Sequence, residues 1–131
     1  MKLKRLLLIF VFSLAQLMII GQVAEKEAIV GAVKAGDANA MSKYFLPSID
    51  LTIKSTEDVY SSDQAEMILK SFFSENSPTD FQLKHEGKSK LDDYYYIGTL
   101  KTTKGNFRCS FFLKRKDESF KLKQMRIEDM P

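Results

Sequence analysis

Residues 94–114 read "YYYIGTLKTTKGNFRCSFFLK", and their period decides the fold. Tyr94, Tyr96 and Leu100 alternate with Tyr95 and Ile97; after Lys104-Gly105, Phe107, Cys109, Phe111 and Leu113 alternate with Arg108, Ser110 and Phe112. A period of two on both sides of a short Gly-containing break predicts two antiparallel strands joined by a hairpin. The same period extends outward. Strands are expected at about 81–89, 94–103, 106–114 and 119–127, with Asp92-Asp93, Lys104-Gly105 and Lys116-Asp117-Glu118 as connections. Connections that short force neighbouring strands to run antiparallel, which makes the second half a meander. The last strand loses strict alternation between Leu122 and Met125, where a bulge is expected.

Upstream the period becomes helical. Ala28, Ile29, Ala32 and Val33 recur at helical spacing, and Gly36 supplies the left-handed residue that ends such a helix. Asp37 is placed to cap a second helix whose Ala40, Met41, Tyr44 and Phe45 form one stripe, ended by Pro47. Ile49, Leu51 and Ile53 alternate with Asp50 and Thr52, which predicts a short strand. Ser61-Ser62-Asp63-Gln64 fits a capping box for a third helix that buries Ala65, Ile68, Leu69, Phe72 and Phe73 and stops at Asn76-Ser77-Pro78. The expected order is α-α-β-α-β-β-β-β, an α+β fold in which a curved sheet wraps helices on one face.

The N-terminus has a different character. Lys2, Lys4 and Arg5 precede an apolar run from Leu6 to Ile20, the order of a secretory signal peptide. Residues 1–21 are assigned to it, with cleavage after Gly21 or as late as Ala24; residues 22–131 are expected to form a single domain that is periplasmic or secreted. An uncleaved anchor is the alternative, and the only membrane contact expected. The run is nevertheless shorter than the roughly twenty residues a spanning helix needs. The formal net charge of +3 comes entirely from those three basic residues, so the remainder is neutral. Lys84, Lys88, Lys101, Lys104, Lys114, Lys121 and Lys123 sit at alternate strand positions and turns, the pattern of a solvated sheet face, so no nucleic acid is expected. A lone cysteine, Cys109, forms no intramolecular disulfide, and stability must come from the core.

The stretch "AIVGAVKAGDANAMSKYF" (28–45) resembles the opening of nuclear transport factor 2-like domains, with a helix, a Gly-Asp break and a second small helix before the strands. More narrowly, "QAEMILKSFFSENSP", "FQLKHEGKS", "YYYIGTL" and "GNFRCSFFLK" resemble small secreted bacterial proteins classed as a domain of unknown function in that superfamily. The resemblance spans about residues 24–128 and implies a cone of helices and sheet whose open end can admit an apolar ligand. Phe72, Phe73, Phe81, His85, Phe107 and Phe111 are the expected inward set. These rings either line a pocket or pack on one another and fill it. The resemblance also implies dimerisation through the outer sheet face, for which Tyr96 and Phe112 are the candidates.

Little here points to chemistry. His85, the single histidine, falls in step with Phe81 and Leu83; buried there, it would be a neutral donor and acceptor. Tyr95 offers a hydroxyl partner, but no Asp or Glu occupies the interior of the strands at 94–103 or 106–114. One His and one Cys do not make a four-ligand zinc site, and the scattered glycines form no phosphate loop. No metal or cofactor is expected. The expected function is a non-catalytic exported module for a small apolar ligand or an envelope protein. The alternative is a small isomerase or dehydratase using His85 with a Tyr hydroxyl.

Overall fold

The structure, a computed structural model, describes residues 25–91 and 93–131; the signal peptide expected at 1–21, its cleavage sites and Asp92 lie outside them. The first helix, α1, runs to residue 35 and buries Ile29, Ala32 and Val33. Gly36 ends it at φ +64°, a left-handed conformation that a Cβ disfavours, with its N–H donating to the Val33 carbonyl at 3.1 Å. Asp37 then caps α2 (Ala38–Ser42), its Oδ1 accepting from the Ala40 N–H at 3.0 Å.

Seven further elements follow, six strands and a helix. Six strands, β1 (Phe45–Ile53), β2 (Thr56–Ser61), β3 (Pro78–Lys88), β4 (Tyr94–Thr102), β5 (Gly105–Lys116) and β6 (Ser119–Asp129), make one sheet in the order β2-β1-β6-β5-β4-β3. All neighbours are antiparallel except β1 and β6, which run parallel. The helix α3 (Ser62–Glu75) begins with the expected capping box: the Gln64 N–H donates to Ser61 Oγ at 3.3 Å, and the Ser61 N–H to Gln64 Oε1 at 3.2 Å. Helix residues and one sheet face bury a common cluster, from Ile29 and Met41 through Leu69 and Phe72 to Phe111, Met125 and Ile127. None of the described helices is long and apolar enough to cross a membrane.

Three local expectations are corrected. The second helix stops at Ser42, so Tyr44 and Phe45 leave its stripe: the Tyr44 carbonyl accepts from the Leu122 N–H at 2.7 Å, which draws the chain into the sheet. Pro47 therefore lies inside β1 instead of ending a helix, at a stretch where the β1–β6 register lapses between Phe45 and Asp50 and no ladder N–H is required. An additional strand, β2, pairs with β1 through a tight turn at Lys54, whose φ of +57° is unusual for a residue with a side chain. The meander follows the expected boundaries closely, and the β6 bulge falls as expected between Leu122 and Gln124.

Candidate functional site

The inner face of the sheet follows from alternation along β4 and β5. Tyr96, Leu100, Phe107, Cys109, Phe111 and Leu113 are all buried there, and α3 contributes Phe72 and Phe73. The rings meet in two groups. Phe72 contacts Phe73 and Phe107 edge-on at 5.7 and 5.2 Å between centroids; Phe111 stacks on Tyr96 at 5.0 Å and tilts against Phe81 at 6.4 Å. Burial pushes the Cys109 thiol up to about 12, which leaves it a neutral, unreactive filler.

His85 is not among them. A bulge in β3 between Leu83 and His85 changes the phase: Phe81 and Leu83 pair with Leu100 and Gly98 on the inner face, whereas His85 pairs with Ile97 on the outer face and is exposed. The expectation that His85 points into the cone is thus corrected by one inserted residue, Lys84. Glu86, half-exposed, follows on the inner-face side instead, opposite Tyr96 and joined to Lys26 of α1 at 2.7 Å. Burial first, then the charge of Glu86, pushes the Tyr96 phenol up to about 12. Tyr96 is 7% exposed and stacked on Phe111, so it lies on the inner face and not on the outer one expected for it; Tyr95 is the outer neighbour, tilted against Phe112 at 6.1 Å. Gly87 makes room for it, since a Cβ there would collide with the Tyr95 hydroxyl.

The outer face carries the groups left for function. Cross-strand register places Thr52, Arg126, Ser110, Ile97 and His85 in one row across β1, β6, β5, β4 and β3. Ser110, small among large neighbours and 7% exposed, floors a depression of about 370 Å³. Ile97, Arg108, Phe112, Gln124, Arg126 and Glu128 form its walls. The Arg126 Nε–H donates to Glu128 Oε1 at 3.1 Å. Sequence reasoning missed these walls, although Arg108-x-Ser110-x-Phe112 and Gln124-x-Arg126-x-Glu128 are legible as the alternate set once the inner set is assigned. Two other depressions, beside the α1–α2 junction and between α3 and β1, are lined by Lys70 and Glu66 and by Lys54 and Glu75 among others, and gather no comparable set of donors.

The arrangement is unsuited to proton transfer between paired groups. His85 and Ser110 flank Ile97, two strands apart, or about 9–10 Å at the usual strand spacing. A nucleophile and its base must come within about 3 Å. His85 and Tyr95 share the outer face, but no hydrogen bond joins them, and His85 is exposed.

Comparison with known structures defines the class first. The fold is shared with a chain designated Rd1NTF2_05, at 11% identity and TM-score 0.64 over 81% of this chain and 96% of that one. It is shared also with an uncharacterized cystatin fold protein from Novosphingobium aromaticivorans, at 12% identity and TM-score 0.58 over 83% and 98%. The fold is therefore the nuclear transport factor 2-like, cystatin-like α+β fold. The chain belongs to the family described as a domain of unknown function, DUF4783, which matches residues 26–128. A DUF4783 family protein from Bacteroides fragilis is similar at 33% identity and TM-score 0.75, over 79% of this chain and 96% of that one. Among curated proteins none matches.

Proposed function

We propose that this chain is an exported, non-catalytic binding module, and that it works through the outer face of its sheet. One observation carries the reading: the aromatic rings expected to line the cone pack on one another, while a mixed set of polar and aromatic groups gathers on the opposite face around Ser110. Among the described residues the inward rings are buried against one another, and His85 lies with the exposed set. The partner is an envelope component or a second copy of the chain. In the homodimer form of this reading, Tyr95, Ile97 and Phe112 supply the apolar strip.

Native mass spectrometry on the exported protein, purified without detergent, tests this. The expected result is self-association or a retained partner that Phe112→Asp removes while the protein stays folded. A small apolar molecule retained by the Phe112→Asp protein and expelled by Leu100→Trp would return the site to the cone and overturn the reading.

A further inference from the structure

We propose that the depression over Ser110 binds a small organic carboxylate with an apolar body. The inference rests on the outer-face reading and adds the chemistry recognised there. Its walls divide by character: Phe112 and Ile97 on one side are apolar, and Arg108, Arg126 and Gln124 bring donors. Arg126 engages Glu128 through Nε alone, and Arg108 makes no ion pair or hydrogen bond with the described residues even though Glu128 is its cross-strand neighbour. A guanidinium presents five donors in a planar fork suited to a carboxylate.

A second observation concerns where the donors go. Thr52, 3% exposed, and Asp50 each have a buried oxygen without a hydrogen-bond partner, Oγ1 and Oδ1 respectively. Unpartnered buried oxygens are uncommon. Their register neighbours on β6 are Arg126 and Gln124, which hold the donors that would satisfy them. Neither does so; both line the depression instead. Charge then selects the ligand. Two arginines against Glu128 leave a single excess positive charge at the walls, and the Asp50 carboxylate lies one strand away beside Gln124. That balance suits a monoanion and disfavours a phosphate dianion. The apolar wall requires that the anion carry a hydrophobic body.

The test is an amide-shift NMR titration of the ¹⁵N-labelled full-length chain with sodium 3-phenylpropionate, and in parallel with 3-phenylpropionamide and inorganic phosphate. Saturable shifts confined to Ser110, Phe112, Gln124 and Arg126 are expected for the acid, with a Kd of order millimolar for so open a site. Arg108→Gln should weaken binding about tenfold to a hundredfold by removing charge-assisted hydrogen bonds. Ser110→Val, which raises the floor, should abolish it. Arg108 is exposed, so its variant should keep the wild-type spectrum elsewhere. Absence of saturation, equal binding of the amide, binding of phosphate in preference to the acid, or shifts centred on Phe81 and Phe111 would each overturn the proposal. If the acid fails to bind while Phe112→Asp still disrupts association, the outer-face reading stands and the carboxylate falls; if both fail, both are lost.

Discussion

Replacing Phe111 by Ala measures whether the cone is filled. Phe111 is fully buried, stacked at 5.0 Å on Tyr96 and 6.4 Å from Phe81. A buried aromatic side chain removes about 150–250 Å² from water, or roughly 4–6 kcal/mol at about 25 cal/mol per Å². The alanine methyl retains part of that, and buried Phe→Ala changes cost about 3–5 kcal/mol. A domain of this size has about 5–15 kcal/mol in total. With a urea m-value near 1.5 kcal/mol/M, a loss of about 4 kcal/mol lowers the midpoint by roughly 2.5–3 M. Circular dichroism in urea is the suitable assay, because the chain has five Tyr and no Trp. His85→Ala is the control, and its exposed side chain should shift stability by no more than about 0.5 kcal/mol. A Phe111→Ala cost below about 1.5 kcal/mol would show that the ring faces open space, and the packed-interior argument would fail.

Two further outcomes follow from buried ionisable groups. Lys123 bridges to the carboxylate of Asp93, a residue 5% exposed, so Lys123→Met should cost about 3–5 kcal/mol by leaving a buried charge unpaired. The half-exposed Lys26–Glu86 pair should cost about 1 kcal/mol or less when Lys26 is changed to Met; equal losses in urea melts would contradict the burial argument. At alkaline pH, Cys109 and Tyr96 hold their protons to about 12 in the folded chain, while the unfolded chain releases them from about 9 and 10. Folded values above unfolded ones leave stability untouched below about pH 9 and erode it up to about 12, by about 1.4 kcal/mol per pH unit for each group. Urea midpoints at pH 8, 9.5 and 11 should therefore fall more steeply for the native chain than for Cys109→Ala; parallel slopes would refute the Cys109 contribution.

The elements most legible in the sequence are those whose signals are local. The Ser61 capping box, the Gly36 stop and the strands around Tyr96 and Phe111 each depend on residues within a few positions, and each stands where expected. β2 is different. "TEDVYS" is polar, almost wholly exposed and without alternation, and its turn uses Lys54 in a left-handed conformation instead of Gly or Asn. Only pairing with β1 makes it a strand. The face of His85 was equally hidden, since Phe81, Leu83 and His85 keep a perfect period of two through a bulge with no sequence signature. The outer depression was hidden for a related reason, because its walls come from β4, β5 and β6, which only the tertiary register aligns.

The parallel pairing of β1 with β6 sets the order in which this chain can become a protein. β6 is the last strand along the chain, yet it lies inside the sheet, bonded to β5 on one side and to β1 on the other. Until it arrives, the β1–β2 hairpin and the β3–β5 meander are separate pieces, each with an open edge beside the missing strand. Register couples Phe45 to Leu122, so closing the sheet carries a large loop entropy and should be slow. A ribosome holding back Ser119–Asp129 would keep the sheet unfinished, and release of that strand would be the event that commits the domain to its native form.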